Sequence, residues 1–183
     1  KKTTNIIGDR SFSSDPKIIS VIGDFCIKEF SKEKIATVIK HIPGHGLANV
    51  DSHKKTPIVK ANIKYLFKND FLPFKKKKSF FAMTAHIIYK DIDRFNTATQ
   101  SKKIINLIRK RIGFKNIIMS DDISMKSLKG SIKTNTLKAI SAGCNLILHC
   151  NAKHSEMRIV AKNTPLLDNF LIKKTSQFYN FLS

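Results

Sequence analysis

Four short segments of this chain share one design: an apolar, β-prone run that ends in polar, reactive residues. They are ATVIKHIPGHG (36–46), SFFAMTAHIIY (79–89), KNIIMSDDISM (115–125) and CNLILHCN (144–151). Continuous apolar runs of this length, bounded by turn signals, suit strands buried on both faces. Helical patterns lie between them. DPKIISVIGDFCIKEF (15–30) places Ile18, Ile22, Phe25, Ile27 and Phe30 at helical spacing, with Asp15–Pro16 as cap and first turn. TQSKKIINLIRKRIG (99–113) repeats the pattern and closes on Gly113, and 132–142 closes on Gly143. Residues 155–182 read as one or two further helices.

Strands alternating with helices imply βαβ units and a parallel sheet. Reactive residues at several strand tips fit a (β/α)8 barrel or a doubly wound sheet. No GxGxxG or Walker loop occurs, which disfavours nucleotide binding and favours the α/β (β/α)8 TIM barrel. A complete barrel takes about 250 residues. With 183 residues and four strand units, the chain is expected to be the C-terminal half to two-thirds of one: a single catalytic domain over 1–183, truncated at its N-terminus.

Hydrophobic residues make up 42% of the chain, enough for a packed core. No apolar run reaches the roughly 18 residues of a membrane span, so no membrane partner is expected. The start, KKTTNIIGDRSF, has neither a methionine nor a signal peptide's apolar stretch, so a fragment is expected, whose signal, if any, lay upstream. Three cysteines without CxxC spacing (Cys26, Cys144, Cys150) argue against disulfides and structural zinc, and are expected to be buried thiols in a reducing compartment.

Lys and Arg number 34 against 13 Asp and Glu, a formal charge of +21 that would suit nucleic acid. Yet the arginines are few and the lysines are scattered among many Ile and Asn, as A/T-rich codons would produce. No specific nucleic-acid partner is expected, beyond salt-sensitive polyanion binding. The run Lys75–Lys78 reads as a solvated loop before a strand.

The segment 40–57, KHIPGHGLANVDSHKKTP, carries Lys40, His41, His45, Asp51 and His53 on a strand tip and a long loop punctuated by Pro43, Gly44 and Gly46. Asp51, two residues before His53, is placed to accept from one ring nitrogen, fixing the tautomer and raising the basicity of the imidazole. The other nitrogen is then available for proton transfer. An incidental surface loop explains the same spacing equally well. Ser120-Asp121-Asp122 sits at another tip, where neighbouring side chains point to opposite faces and one carboxylate faces the pocket. That carboxylate suits attack on an anomeric carbon, or an N-cap for a helix over Ser124–Leu128; the residues alone leave both open. A lone Arg10 in a polar turn is by itself a surface residue. His41, His45, His53, His86 and Asp121 have ligand chemistry for zinc, but Pro-Gly breaks the His41-x3-His45 helical geometry.

IGDRSFSSDP (7–16), KHIPGHG…DSHKKTP (40–57), MTAHIIYKDID (83–93), IGFKNIIMSDDISMKSL (112–128) and AISAGCNLILHCN (139–151) occur in order over most of the chain. They closely resemble the bacterial β-N-acetylglucosaminidases of glycoside hydrolase family 3, the single-domain type of cell-wall recycling. The resemblance implies a retaining β-N-acetylhexosaminidase acting on carbohydrate (GlcNAc-anhydroMurNAc peptides) in the cytoplasm, a monomer when complete, with no cofactor or metal. It implies Asp121 as nucleophile, His53 as general acid/base with Asp51 as its dyad partner, and Arg10, Lys40 and His41 as sugar-contacting residues. Members of that family carry further strands ahead of the GDRS motif, so an inactive remnant that binds sugar or a partner is the first alternative reading; a basic nucleic-acid-binding protein is the second. Residues 152–183 match loosely and receive no role.

Overall fold

The computed structural model describes residues 11–48, 50 and 55–183. It opens with α1 (Pro16–Lys32), capped where expected: the Asp15 carboxylate accepts from the Lys17 N–H at 2.8 Å, and Pro16 occupies the first turn. β1 (Val38–Ile42) follows. β2 (Ile58–Val59), α2 (Ile63–Lys68), β3 (Phe81–Thr84) and β4 (Ile88–Tyr89) come next. Then come α3 (Lys102–Leu107), β5 (Ile117–Asp122), α4 (Ile132–Ala142), β6 (Leu146–Leu148), α5 (His154–Asn163) and α6 (Asn169–Leu182). α3 continues as a turn of π-helix over Ile108–Ile112 and stops at Gly113, where φ of 84° gives the left-handed cap glycine tolerates.

β1, β3, β5 and β6 form one parallel sheet in that order. The order rises along the chain without reversing. A doubly wound sheet reverses at its switch point, so this is barrel-type winding. The core lies between sheet and helices: Ile42, Ala82 and Ile118 from the strands pack with Ile104, Ile105, Ile108 and Ala139. Each of these isoleucines contributes about 1.5–3 kcal/mol by its burial.

Several expectations need correction. The outer strands are not buried on both faces; Val38 is 42% exposed and all of β6 is half-buried, and among the described residues each has a strand neighbour on one side only. The run 79–89 is two strands, since Ala85–Ile87 leave the main sheet and β4 pairs with β2 in a separate parallel ribbon. No helix forms over 124–128, where turns follow β5. Of the apolar positions on α1, only Ile27 is buried; Ile18, Phe25 and Phe30 are exposed. Within the lysine run, Lys77 is buried, its Nζ donating to Ser20 O, Ser20 Oγ and Asp24 Oδ2. Of the cysteines, Cys144 is buried, Cys26 intermediate and Cys150 exposed.

Both strands that carry the principal candidate residues are irregular at their tips. Lys40 pairs with Met83 and Ile42 with Thr84, so His41 is an extra residue in β1. Met119 pairs with Leu146 and Asp122 with Leu148, which makes β5 one residue long there too. Bulges of this kind re-aim a side chain without ending the strand.

Candidate active site

The β1 tip is built around peptide bonds that are cis at Lys40–His41 and Ile42–Pro43. Lys40 is exposed and His41 half-buried. The loop beyond is clamped from the turn after α2 and from β4. The Leu47 N–H donates to Asp70 Oδ2 at 3.1 Å, and the buried Tyr89 hydroxyl donates to the Gly44 carbonyl. Burial first, and then the Asp70 charge, raise the Tyr89 hydroxyl well above its ordinary pKa, so it stays a proton donor. Gly44 has φ of 156°, and a Cβ there would lie 2.7 Å from the Asp70 Cβ and carbonyl oxygen. The loop returns the His45 ring to 5.5 Å from the His41 ring.

The two adjacent carboxylates at the β5 tip have separate tasks. Asp122 is consumed by its own surroundings: Oδ1 accepts from the Ser124 N–H at 3.0 Å and the Cys150 N–H at 3.2 Å, and Oδ2 from the Ser124 hydroxyl at 2.7 Å. It ties β5 to the end of β6. Asp121 accepts at Oδ1 from the Asp122 N–H at 2.8 Å, while Oδ2 faces His41 Nε2 at 3.7 Å. Ser120, fully buried, takes the Leu148 N–H at 2.9 Å and bridges the bulge beside them.

Electrostatics keep His41 uncharged. Burial lowers its pKa from 6.5 to about 4; the neighbouring His45, Lys40 and His86 push the same way, against the attraction of Asp121. At neutral pH the His41–Asp121 contact is therefore a neutral imidazole beside a carboxylate, too long for a hydrogen bond. The Cys150 thiol is raised by desolvation first and then by Asp122 and Asp121, and burial takes Cys144 up to about 12. Neither is a ready thiolate nucleophile.

The structure thus brings His41 and Asp121 together and places Lys40 next in sequence on the exposed side of the same tip. Arg10, Asp51 and His53 lie outside the described residues. Among the described residues no three His, Cys, Asp or Glu side chains group as metal ligands. Sequence reasoning missed Asp70 and Tyr89, whose contacts reach 23 and 45 residues away to Leu47 and Gly44. It named His86 only among the residues with ligand chemistry for zinc.

Residues 1–173 match the glycosyl hydrolase family 3 N-terminal domain. The chain belongs to this family. The beta-hexosaminidase of Actinobacillus succinogenes is 34% identical over 160 residues, covering 84% of this chain and 46% of that protein. Among solved structures, NagZ from Neisseria gonorrhoeae in complex with N-trifluoroacetyl-D-glucosamine superposes with a TM-score of 0.83 at 28% identity, over 94% of this chain and 51% of that one. CbsA from Thermotoga neapolitana gives 0.80 at 30% identity, over 94% and 42%. This family 3 chain spans about half the length of the relatives it matches, and its parallel sheet is a stretch of their TIM-barrel-type fold.

Proposed function

We propose that this chain carries the nucleophile half of a retaining β-N-acetylglucosaminidase, which removes terminal β-N-acetylglucosamine from peptidoglycan fragments in cytoplasmic cell-wall recycling. The observation that carries this reading is the division of labour at the β5 tip. Asp122 is spent on Ser124 and Cys150, whereas Asp121 keeps one oxygen turned toward His41. Family membership and the beta-hexosaminidase relatives support the reaction class.

In the proposed reaction Asp121 Oδ2 attacks the anomeric carbon as the bond to the departing sugar oxygen breaks, and His53 gives that oxygen its proton. Water then attacks the glycosyl ester, His53 takes the water's proton, and N-acetylglucosamine leaves with retained configuration. Asp51 orients His53, while Lys40, His41 and Arg10 hold the sugar. A neutral His41 hydrogen-bonds to sugar hydroxyls without neutralising the carboxylate that must attack. The leaving fragment is an anhydro-N-acetylmuramic acid peptide, and the working unit is a monomer.

A chromogenic N-acetyl-β-glucosaminide assay tests this, with Asp121→Ala and His53→Ala as controls. Turnover by wild type and its loss in both variants is the expected result; wild type indistinguishable from buffer refutes catalysis by this chain. The competing reading is sugar binding without turnover. Calorimetric binding of N-acetylglucosamine without product release would establish it.

A further inference from the structure

β3 ends in a buried polar chain that the reaction as written does not use. Thr84, His86 and Thr99 are each 0–1% exposed. His86 Nε2 lies 2.9 Å from the Asp122 carbonyl oxygen, and Nδ1 lies 2.7 Å from Thr99 Oγ1. Thr99 Oγ1 is in turn 2.8 Å from Thr84 Oγ1. A carbonyl only accepts, so Nε2 carries a proton. Nδ1 is then an acceptor, and Thr99, whose hydroxyl also reaches the Ala85 carbonyl at 3.3 Å, is positioned to give its proton to the nearer Nδ1, with the Thr84 hydroxyl donating to Thr99 behind it.

The consequence runs through the backbone of Asp122. Its carbonyl receives His86 Nε2 and the Met125 N–H at 3.2 Å, and its own N–H donates to Asp121 Oδ1. The carbonyl and the N–H of Asp122 lie in successive peptide planes joined at its Cα, so holding the carbonyl restrains the N–H through the strand-type dihedrals between them. The direction of that N–H decides which Asp121 oxygen is tied down and which is left toward His41.

We infer that His86, as the Nε2–H tautomer ordered by Thr99 and Thr84, is a positioning residue that locks the Asp122 backbone, so that Asp121 Oδ1 is held and Oδ2 makes the attack. The inference rests on the reading of Asp121 as nucleophile. His86 acts through the Asp122 backbone; it removes the freedom of the carboxylate to rotate away from the line of attack. Outer residues that orient metal ligands are worth about 10–100-fold, and orientation of a carboxylate nucleophile is expected to be worth a similar factor.

The test uses the full chain and a fluorinated N-acetylglucosaminyl fluoride that arrests the glycosyl-enzyme, with labelling followed by intact mass. His86→Phe keeps bulk and loses the hydrogen bond; it is expected to slow labelling about 10–100-fold at saturating probe with probe affinity unchanged. His86→Gln, whose amide N–H can reach the same carbonyl, is expected to recover most of the rate. Thr99→Val, nearly isosteric, is expected to slow labelling by a smaller factor and keeps the test open if His86→Phe does not fold. Nitrogen-15 histidine spectra of wild type are expected to show His86 as the Nε2–H tautomer. Wild-type rates in both His86→Phe and Thr99→Val, a loss in affinity alone, or the opposite tautomer overturns the inference while leaving the nucleophile intact. A wild type that takes no label on Asp121 removes the nucleophile reading and this inference with it.

Discussion

Asp121 Oδ2 and His41 Nε2 face each other at 3.7 Å across the tips of β5 and β1, with the imidazole held neutral by its burial. The pKa of His41 in the fold, about 4, lies below the 6.5 of an unperturbed histidine. Between those values the unfolded chain binds a proton that the folded chain refuses, so stability falls as the pH drops from about 6.5 toward 4. The loss is at most about 3 kcal/mol. His41→Asn has no such group. Urea midpoints near pH 7 and near pH 4.5 are expected to differ less for the variant than for wild type.

The two carboxylates of β5 separate by experiment. Asp121→Asn is expected to cut turnover by roughly 10³-fold or more while leaving thermal stability within about 0.5 kcal/mol of wild type. Asp122→Ala orphans the Ser124 and Cys150 N–H groups and is expected to cost about 1–3 kcal/mol of stability. Thermal melts alongside the chromogenic assay resolve the two patterns.

Gly44→Ala drives a methyl group against the Asp70 Cβ and backbone, at a φ of 156° that side chains rarely adopt. The loop between Ile42 and Leu47 must then shift, at an expected cost of about 1–3 kcal/mol. The same variant is expected to move the His41 and His45 ring signals in proton spectra, because that loop sets their 5.5 Å approach.

Lys77 fastens α1 to the rest of the chain by donating to Ser20 and Asp24. Its partner Asp24 has a side chain 61% exposed, so the ion pair itself is worth little. Most of the effect lies in the buried ammonium stem and the Ser20 carbonyl. Lys77→Ala is expected to speed amide exchange in Pro16–Lys32 while leaving β5 protection unchanged, as measured by hydrogen–deuterium exchange.

How much could be read beforehand divides by the range of the interaction. The Asp15 cap, Gly113 and Gly143 are local devices acting within one helical turn, and all three stand where the pattern placed them. The strand tips were legible because apolar runs ending in reactive groups need only short-range signals. The bulge at His41 and the buried position of Lys77 were not legible. Each depends on a partner tens of residues away: Met83 and Thr84, and Ser20. Choosing between the carboxylates of β5 required the family resemblance. The geometry supplies an independent reason, because the hydrogen bonds of Ser124 and Cys150 occupy Asp122.

Peptide mapping of the arrested glycosyl-enzyme tests the central claim most directly. The chain is incubated with the fluorinated N-acetylglucosaminyl fluoride, digested at low pH and fragmented by mass spectrometry. The predicted result is one N-acetylglucosaminyl ester, on Asp121. An ester on Asp122 or another residue, or release of sugar product by a chain that never carries an ester, would contradict it.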